Sequence, residues 1–300
     1  MMKKKKLMRF FIVLLSLVLI TELVLRFAVD LGAKPLYVVD ENCEYRLQPN
    51  QDISRFHNDF KTNANGMRSP EISDKDKKRI LLFGDSVING GSKVDQSELV
   101  SSILIEKLSA HYNAQVNVCN ISAGSWGPEN AYQFYANHVD FNYDMVILLF
   151  SSHDYHDNMH FRDVVGEEPA WPDHQPLTAI GDVISNFLIP KLSSKSQYDY
   201  LEGFDDSPIN PGWSLFINES KKTGIPLLVY LHPEVSELKS NAWNQNGTEL
   251  QNLLDTNNVN WINGITFEKE SDYLDNVHLD GNGHRTLADV LFNEITMLNW

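Results

Sequence analysis

The stretch Arg79-Ile80-Leu81-Leu82-Phe83-Gly84-Asp85-Ser86 decides how this 300-residue chain is expected to fold. It runs from a short apolar strand directly into a glycine-containing loop that ends in a serine. In an open parallel sheet, functional sites form at the carboxyl ends of the strands. Ser86 therefore lies where a reactive side chain is expected, although Gly-Asp-Ser is also ordinary turn chemistry.

The elements downstream of this stretch alternate between strand patterns and helix patterns. Apolar runs typical of buried strands cover 116–121, 145–150 and 225–231, with a weaker one at 259–265. Helical patterns cover 95–108, 130–138, 213–222, 248–255 and 285–298. This alternation predicts an α/β protein, a three-layer α/β/α flavodoxin-like domain with a parallel sheet of about five strands.

The first 30 residues are typical of a membrane anchor. A basic flank at Lys3–Lys6 and Arg9 precedes an apolar stretch from Phe10 to Val29. Only Thr21, Glu22 and Arg26 interrupt it, and the last two have the i,i+4 spacing of a pair on one helix face. About 20 apolar residues span a bilayer, and basic flanks stay in the cytoplasm. Residues 1–30 therefore predict one uncleaved transmembrane helix, with the rest of the chain extracytoplasmic, periplasmic or outside. A cleaved signal peptide is the alternative, and Leu31-Gly32-Ala33 is the nearest candidate cleavage site.

Length and charge limit the remaining possibilities. With 42% hydrophobic residues, the chain can bury the core of one domain. We expect that domain at 78–300, with an insertion at about 155–210 that includes a helix near 180–192. Residues 31–77 are expected to be a connecting segment packed on the domain. The net charge is −15, which repels phosphate backbones and makes nucleic acid an improbable partner.

The two cysteines allow two interpretations. Cys119 lies in an apolar strand pattern, where a buried free thiol is expected. A disulfide between Cys119 and Cys43 is the alternative, since an oxidising compartment permits one.

A second motif, Asp275-Asn276-Val277-His278, favours a catalytic role for Ser86 over a simple turn. A serine hydroxyl is a weak nucleophile until a base takes its proton, and a histidine base works best when a carboxylate fixes its tautomer. An aspartate three residues before a histidine supplies both groups from one short loop. A turn that carries a surface histidine is the simpler alternative. With Ser86, the motif predicts a Ser86-His278-Asp275 triad.

These motifs resemble the SGNH, or GDSL-type, hydrolase superfamily. Gly84-Asp85-Ser86 matches the nucleophile block, the segment from Asn120 to Gly124 matches the glycine block, and Asp275 to His278 matches the final block. The resemblance covers roughly residues 78–300, apart from the insertion. Asn65-Gly-Met-Arg68-Ser-Pro-Glu71 and the N-terminal helix also resemble membrane-tethered bacterial members. The resemblance implies that the backbone N–H groups of Ser86 and Gly124 hold an oxyanion.

One block departs from the family. The asparagine that the family carries after the third strand is replaced by His153, in Ser151-Ser152-His153-Asp154. The family's asparagine donates its amide to the developing oxyanion, and loss of one such donor costs roughly 10²–10³ in rate. A histidine can donate an N–H in its place, so His153 is assigned to the oxyanion hole. Local packing is the alternative role for His153.

Three other interpretations remain open. The segment Ala123-Gly-Ser125-Trp-Gly127 approximates the nucleophile elbow of α/β-hydrolases, which would make Ser125 the nucleophile. A dense set of possible metal ligands, which suggests a metal site, consists of His153, Asp154, His156, Asp157 and His160. His284 is expected to stabilise the start of the last helix.

The resemblance and the triad together predict a serine esterase that needs no metal and no organic cofactor. Its expected substrate is an ester, such as the O-acyl group of an extracytoplasmic glycan or a lipid-like ester. An O-acetyltransferase acting on a surface polysaccharide would use the same triad, and a non-catalytic glycan-binding protein would keep only the fold. Beyond the substrate and the membrane, the sequence identifies no protein partner.

Overall fold

Strand and helix patterns become the following elements in the computed structural model, which describes residues 2–189, 208–298 and 300. The strands are β1 (Tyr37–Asp40), β2 (Glu44–Leu47), β3 (Asp52–Arg55), β4 (Asn58–Lys61), β5 (Lys78–Gly84), β6 (Val116–Ser122), β7 (Met145–Ser151), β8 (Leu227–His232) and β9 (Asn260–Asn263). The helices are α1 (Met2–Phe27), α2 (Ser86–Asn89), α3 (Val100–Tyr112), α4 (Pro128–His138), α5 (Ala179–Val183), α6 (Pro211–Thr223), α7 (Val235–Ser240), α8 (Gln245–Thr256) and α9 (Gly281–Met297).

Strands β5 to β9 form one sheet with the order β6-β5-β7-β8-β9. All four neighbouring pairs are parallel. This is the flavodoxin-like order, in which ligands bind where the direction of winding reverses, between the first and third strands. Here that position lies between β5 and β7. The fold predicted from the sequence is confirmed.

Apolar residues on both faces of the sheet make it the middle of three layers. On one face, Leu81 and Phe83 of β5 pack with residues of α4, α6 and α8. On the other face, Ile80 and Leu82 pack with residues of α2, α3 and α9. Successive strand residues point to opposite faces, so a strand buried on both sides is apolar throughout.

The predicted helices all form, and the first and last of them differ most from their predicted boundaries. The pattern at 95–108 divides into a 3₁₀ turn at Gln96–Glu98 and helix α3, because Leu99 has extended backbone angles. The last helix begins four residues before the predicted start, at Gly281. Asp280 caps it by accepting hydrogen bonds from the N–H groups of Asn282 and Gly283.

Residues 37–61 form two antiparallel hairpins, β1-β2 and β3-β4. Tyr45, Leu47 and Phe60 from these hairpins join the core beneath one face of the parallel sheet. The hairpins thereby bring polar groups of the connecting segment close to the loops that follow β5 and β6. The division of the chain at residues 31, 78 and 155 stays a prediction.

The insertion contains the helix that the sequence predicts near 180–192. It begins with α5 and continues through a π-helical turn at Ile184–Leu188. The end of the predicted helix, and residues 190–207 as a whole, lie outside the described residues.

Two further predictions concern the N-terminus and the cysteines. The segment Lys4–Phe27 of α1 is long and apolar enough to cross a membrane, with a mean hydropathy of 2.4. A signal sequence has the same properties.

Cys43 and Cys119 are both buried free thiols. The expectation for Cys119 is confirmed, and the alternative disulfide is wrong.

Candidate active site

Ser86 lies at the carboxyl end of β5, as the first residue of the short helix α2. Asp85 starts this helix by accepting a hydrogen bond of 2.8 Å from the N–H of Val87. Gly84 is needed just before the turn, because a Cβ there would lie 2.5 Å from the carbonyl oxygen of Leu149. The first N–H groups of a helix have no partner within that helix. The N–H of Ser86 is one of them, which suits the oxyanion role predicted for it.

His278 approaches Ser86 from the loop that precedes α9. Its Nε2 atom lies 2.9 Å from Ser86 Oγ, which is hydrogen-bond distance. On the other side of the ring, Nδ1 lies 2.9 Å from Asp275 Oδ2. The structure therefore brings together the three residues that the sequence singled out, in the order Ser86, His278, Asp275.

The carboxylate of Asp275 is held by its own loop. Its Oδ1 atom accepts hydrogen bonds from the backbone N–H groups of Val277 (3.0 Å) and His278 (2.9 Å). Partial burial disfavours the charged carboxylate, but these hydrogen bonds and the His278 side chain outweigh it and lower the pKa of Asp275. Asp275 is therefore ionised near neutral pH and can orient the imidazole.

A buried arginine from the connecting segment holds the loop after Ser86. Arg68 Nη1 donates to the carbonyls of Asn89 and Gly91, and Nη2 donates to the carbonyl of Val94 at 3.0 Å. The guanidinium also lies over the ring of Phe60, 4.3 Å from its centroid. The sequence hinted at this only through the Asn65-to-Glu71 motif, and the role of Arg68 was missed.

A second buried group, also missed, supports the loop that carries the base. His232 Nε2 donates to the carbonyl of Val277 at 2.8 Å, and Nδ1 lies 3.0 Å from a carboxylate oxygen of Glu268. Burial disfavours a charged imidazole, but Glu268 outweighs it and raises the pKa of His232. The Glu268 carboxylate also accepts from the hydroxyls of Tyr230 and Tyr273. The sequence signal that could have identified His232 is its position as a polar residue directly after the apolar run of β8.

Gly124 lies just beyond β6, beside the connecting segment. Its carbonyl accepts a hydrogen bond of 2.8 Å from the hydroxyl of Tyr45. The nearest atom to a Cβ built on Gly124 would be the hydroxyl of Tyr37, at an ordinary contact distance of 3.6 Å. These contacts place Gly124 at the carboxyl edge of the sheet next to β5. Its part in an oxyanion hole stays a prediction.

His153 begins the turn after β7, on the other side of β5. Its Nδ1 lies 3.1 Å from Glu234 Oε1, and its Nε2 lies 3.6 Å from Asp154 Oδ1, which is too long for a hydrogen bond. The side chain of His153 is 42% exposed, and the carboxylates of Asp154, Glu234 and Asp85 outweigh its partial desolvation and raise the pKa of His153 to about 10. His153 is therefore a charged N–H donor near neutral pH.

Only two of the five metal ligands suggested by the sequence lie in a cluster of possible ligand atoms among the described residues. Ligand atoms of Asp85, His153 and Asp154 lie within 4.8 Å of one another, but in the described part of the chain His156 and His160 do not join them. A histidine that binds a metal must have a neutral imidazole. The carboxylates around His153 favour its protonated form instead, so this cluster is better suited to holding a proton on His153.

Ser125 and His284 are the remaining residues to which the sequence assigned a role. Ser125 follows β6 in the left-handed region of backbone space (φ 56°), whereas His278 is hydrogen-bonded to Ser86. The stabilising role of His284 at the start of α9 stays a prediction, and Asp280 supplies the side-chain cap of that helix. His284 Nδ1 accepts a hydrogen bond of 3.2 Å from the N–H of Val100, at the start of α3. Burial lowers the pKa of His284 to about 3 and keeps it neutral for this contact.

No protein-family model matches this chain, and no curated protein matches its sequence. Solved structures do resemble it. One is a lipase/acylhydrolase from Enterococcus faecalis, with 14% identity over 73% of this chain and 95% of that one and a TM-score of 0.44.

Two further solved structures show the same degree of likeness. One is a mutant of Axe2, an acetyl-xylooligosaccharide esterase from Geobacillus Stearmophilus, with 14% identity over 76% of this chain and 98% of that one and a TM-score of 0.44. The other is a member of the lipolytic protein G-D-S-L family from Veillonella parvula, with 14% identity over 74% and 100% of the two chains and a TM-score of 0.42. At these values, the assignment of a reaction depends on the residues of the site itself.

Proposed function

We propose that this chain is an SGNH-type serine esterase tethered to a membrane by α1. The observation that carries the proposal is the hydrogen-bonded series from Ser86 Oγ through His278 to Asp275 at the carboxyl edge of the sheet. Each residue type and each contact in it is what a serine nucleophile, its base and the orienting acid require. The position between the first and third strands of a flavodoxin-like sheet supports the same conclusion.

The reaction then follows from the contacts. Ser86 Oγ attacks the ester carbonyl carbon while its proton passes to His278 Nε2, and the carbonyl oxygen becomes an oxyanion. When the tetrahedral intermediate collapses, the carbon–oxygen bond to the alcohol breaks and His278 returns the proton to the leaving alcohol. Water, deprotonated by His278, then releases the acid from the acyl-serine. Asp275 stays ionised and stabilises the imidazolium that forms twice in the cycle.

Three donors are assigned to the oxyanion. They are the backbone N–H groups of Ser86 and Gly124 and the ring N–H of His153, which come from the loops after β5, β6 and β7. Adjacent parallel strands end at one edge, so these loops surround a common point. Fixed donors aimed at developing charge are worth more in the transition state than in the ground state. A positively charged His153 gives a stronger, charge-assisted hydrogen bond than a neutral amide.

The N-terminus supports an extracytoplasmic site. The helix Lys4–Phe27 begins with the basic flank and continues as the apolar stretch, which favours a cytoplasmic N-terminus and a catalytic domain on the opposite side of the membrane. The substrates that fit such a location are O-acylated glycans or lipid-like esters outside the cytoplasm. The acidic surface disfavours strongly anionic substrates.

The fate of the acyl group separates an esterase from an acetyltransferase. We expect the full chain in detergent to convert p-nitrophenyl acetate into p-nitrophenol and free acetate in equal amounts. An added oligosaccharide should change neither amount, since water attacks the acyl-serine. Both products are measured, nitrophenol by absorbance and acetate by an enzyme-coupled assay, with and without the oligosaccharide.

Two results would contradict the esterase. Nitrophenol release that strictly depends on the oligosaccharide, with the acetyl group recovered on the sugar, would identify an acetyltransferase that uses the same triad. A well-folded chain that releases no nitrophenol under either condition would favour the non-catalytic glycan-binding protein.

A further inference from the structure

Glu22 is a carboxylate within the apolar helix α1, and it binds backbone groups of another helix. Its two carboxylate oxygens accept hydrogen bonds from the N–H groups of Ala179 (2.8 Å) and Ile180 (3.0 Å), at the start of α5. Arg26, one turn further along α1, pairs with Glu22 at 3.0 Å. The first N–H groups of a helix need an outside acceptor. Glu22 is therefore a cap for α5 supplied by α1.

The position of Glu22 in α1 sets the depth of this contact. If the apolar core of the span is the stretch from Phe10 to Val29, which follows the basic flank ending at Arg9, it has the length of about 20 residues that a bilayer core requires. Glu22 then lies about two helical turns, roughly 10 Å, inside the Val29 end. A charged group at this depth requires partners, and here the α5 N–H groups and Arg26 provide them. The start of α5 is thereby placed beside the outer part of the span, at the depth of the acyl chains nearest the headgroups.

One face of the helix that begins at Ala179 is fixed to the segment just after α1. Asp182 is fully buried, accepts from the N–H of Gly32 at 3.1 Å and forms an ion pair with Arg55. Asn186, four residues later and so on the same face, accepts a hydrogen bond of 2.8 Å from Lys34 Nζ. This polar face joins the insertion to the chain as it leaves the membrane.

The end of this helix carries exposed apolar side chains. The segment Ala179–Leu188 is apolar but far too short to cross a bilayer. Leu177, just before it, has 97% of its surface exposed, and other exposed side chains are Ile184, Phe187, Leu188 and Ile189. A contiguous exposed apolar patch marks an interaction surface. Because the patch adjoins a membrane-spanning helix on the side where that helix ends, lipid is the occupant that the arrangement fits.

We infer that residues 177–189 form an interfacial element that lies in the outer lipid boundary beside α1, with its apolar side chains among the acyl chains of phospholipids. The inference rests on the proposed membrane span of α1. Two attachments, one through the bilayer and one along its surface, would hold the catalytic domain in one orientation over the membrane. The active site would then stand at a set height above the lipid, suited to substrates held at or near the surface.

The test places an environment-sensitive fluorophore at single positions of the full chain. Because Cys43 and Cys119 are buried, an introduced exposed cysteine is the one that reacts with an NBD label. The reporter variants are Phe187→Cys and Leu188→Cys, with Leu15→Cys as the control within the span and Asp289→Cys as the control on the exposed side of α9. The labelled proteins are reconstituted in phosphatidylcholine vesicles with and without doxyl-labelled lipid.

We expect labels at 187, 188 and 15 to emit at shorter wavelength and to lose most of their fluorescence with doxyl lipid, whereas the label at 289 loses little. Labels at 187 and 188 that behave like the one at 289, beside a quenched label at 15, would overturn the interfacial element while leaving the span intact. An unquenched label at 15 would overturn the span, and the inference with it.

Discussion

Replacing Ser86 with alanine is expected to lower the kcat for p-nitrophenyl acetate hydrolysis by roughly 10⁴–10⁶-fold, as loss of the nucleophile does in other serine triads. The physical reason is that Ser86 Oγ is the atom that lies 2.9 Å from His278 Nε2, and alanine leaves the base with no hydroxyl to deprotonate. Turnover of the full chain in detergent, followed by nitrophenol absorbance, measures the loss.

Ser125→Ala is the matched control for this experiment. Ser125 is the other serine that the sequence offers as a nucleophile, and it follows the adjacent strand β6. We expect the Ser125→Ala variant to retain most of the wild-type kcat and both variants to unfold at the wild-type temperature. Equal turnover by the wild type and Ser86→Ala, or a comparable loss in Ser125→Ala alone, would contradict Ser86 as the nucleophile.

Replacing His153 with alanine is expected to lower kcat by roughly 10²–10³-fold, with KM little changed, because an oxyanion donor acts mainly in the transition state. His153→Asn, which restores the amide of the SGNH family, is expected to recover much of that loss. The kcat and KM of the three proteins are measured with the same ester substrate. Equal kcat values for the wild type and His153→Ala would assign His153 to local packing only.

The charge on His153 adds a pH signature to this series. The surrounding carboxylates raise its pKa to about 10, so the imidazolium is present near neutral pH and is lost as the pH rises through about 10. The kcat advantage of the wild type over His153→Ala should therefore be constant near neutral pH and shrink above the raised pKa. His153→Asn has no titrating group at this position, so its ratio to His153→Ala should not fall in that range.

Four of the five strands of the parallel sheet could be predicted because each is a strong local signal, and the pattern of β9 is weaker. A run such as Met145 to Phe150, apolar at every position, is typical of a strand that is covered on both faces. The position of Ser86 followed from the same signal, since the carboxyl ends of parallel strands meet at one edge. The contact between Ser86 and His278 could be predicted from chemistry, because a serine hydroxyl is a weak nucleophile until a histidine base takes its proton.

The supports behind the triad could not be predicted in this way. Arg68 reaches the Ser86 loop from a different segment, and its partners are backbone carbonyls that carry no residue-specific signal. Glu268 lies in a stretch with no periodic pattern, and only the fold places it against His232. His284 lies in the first turn of α9, but its side chain contacts the start of α3, a contact that no local sequence pattern indicates.

The measurement that tests the central claim most directly is the site of reaction with a serine-directed fluorophosphonate. The reagent transfers its phosphonyl group to an activated serine hydroxyl with loss of fluoride, so peptide mass mapping of the inhibited full chain identifies the nucleophile. The account predicts one phosphonyl group, on Ser86, with loss of ester turnover in proportion to labelling. A phosphonyl group on Ser125, or full turnover after Ser86 is labelled, would contradict it.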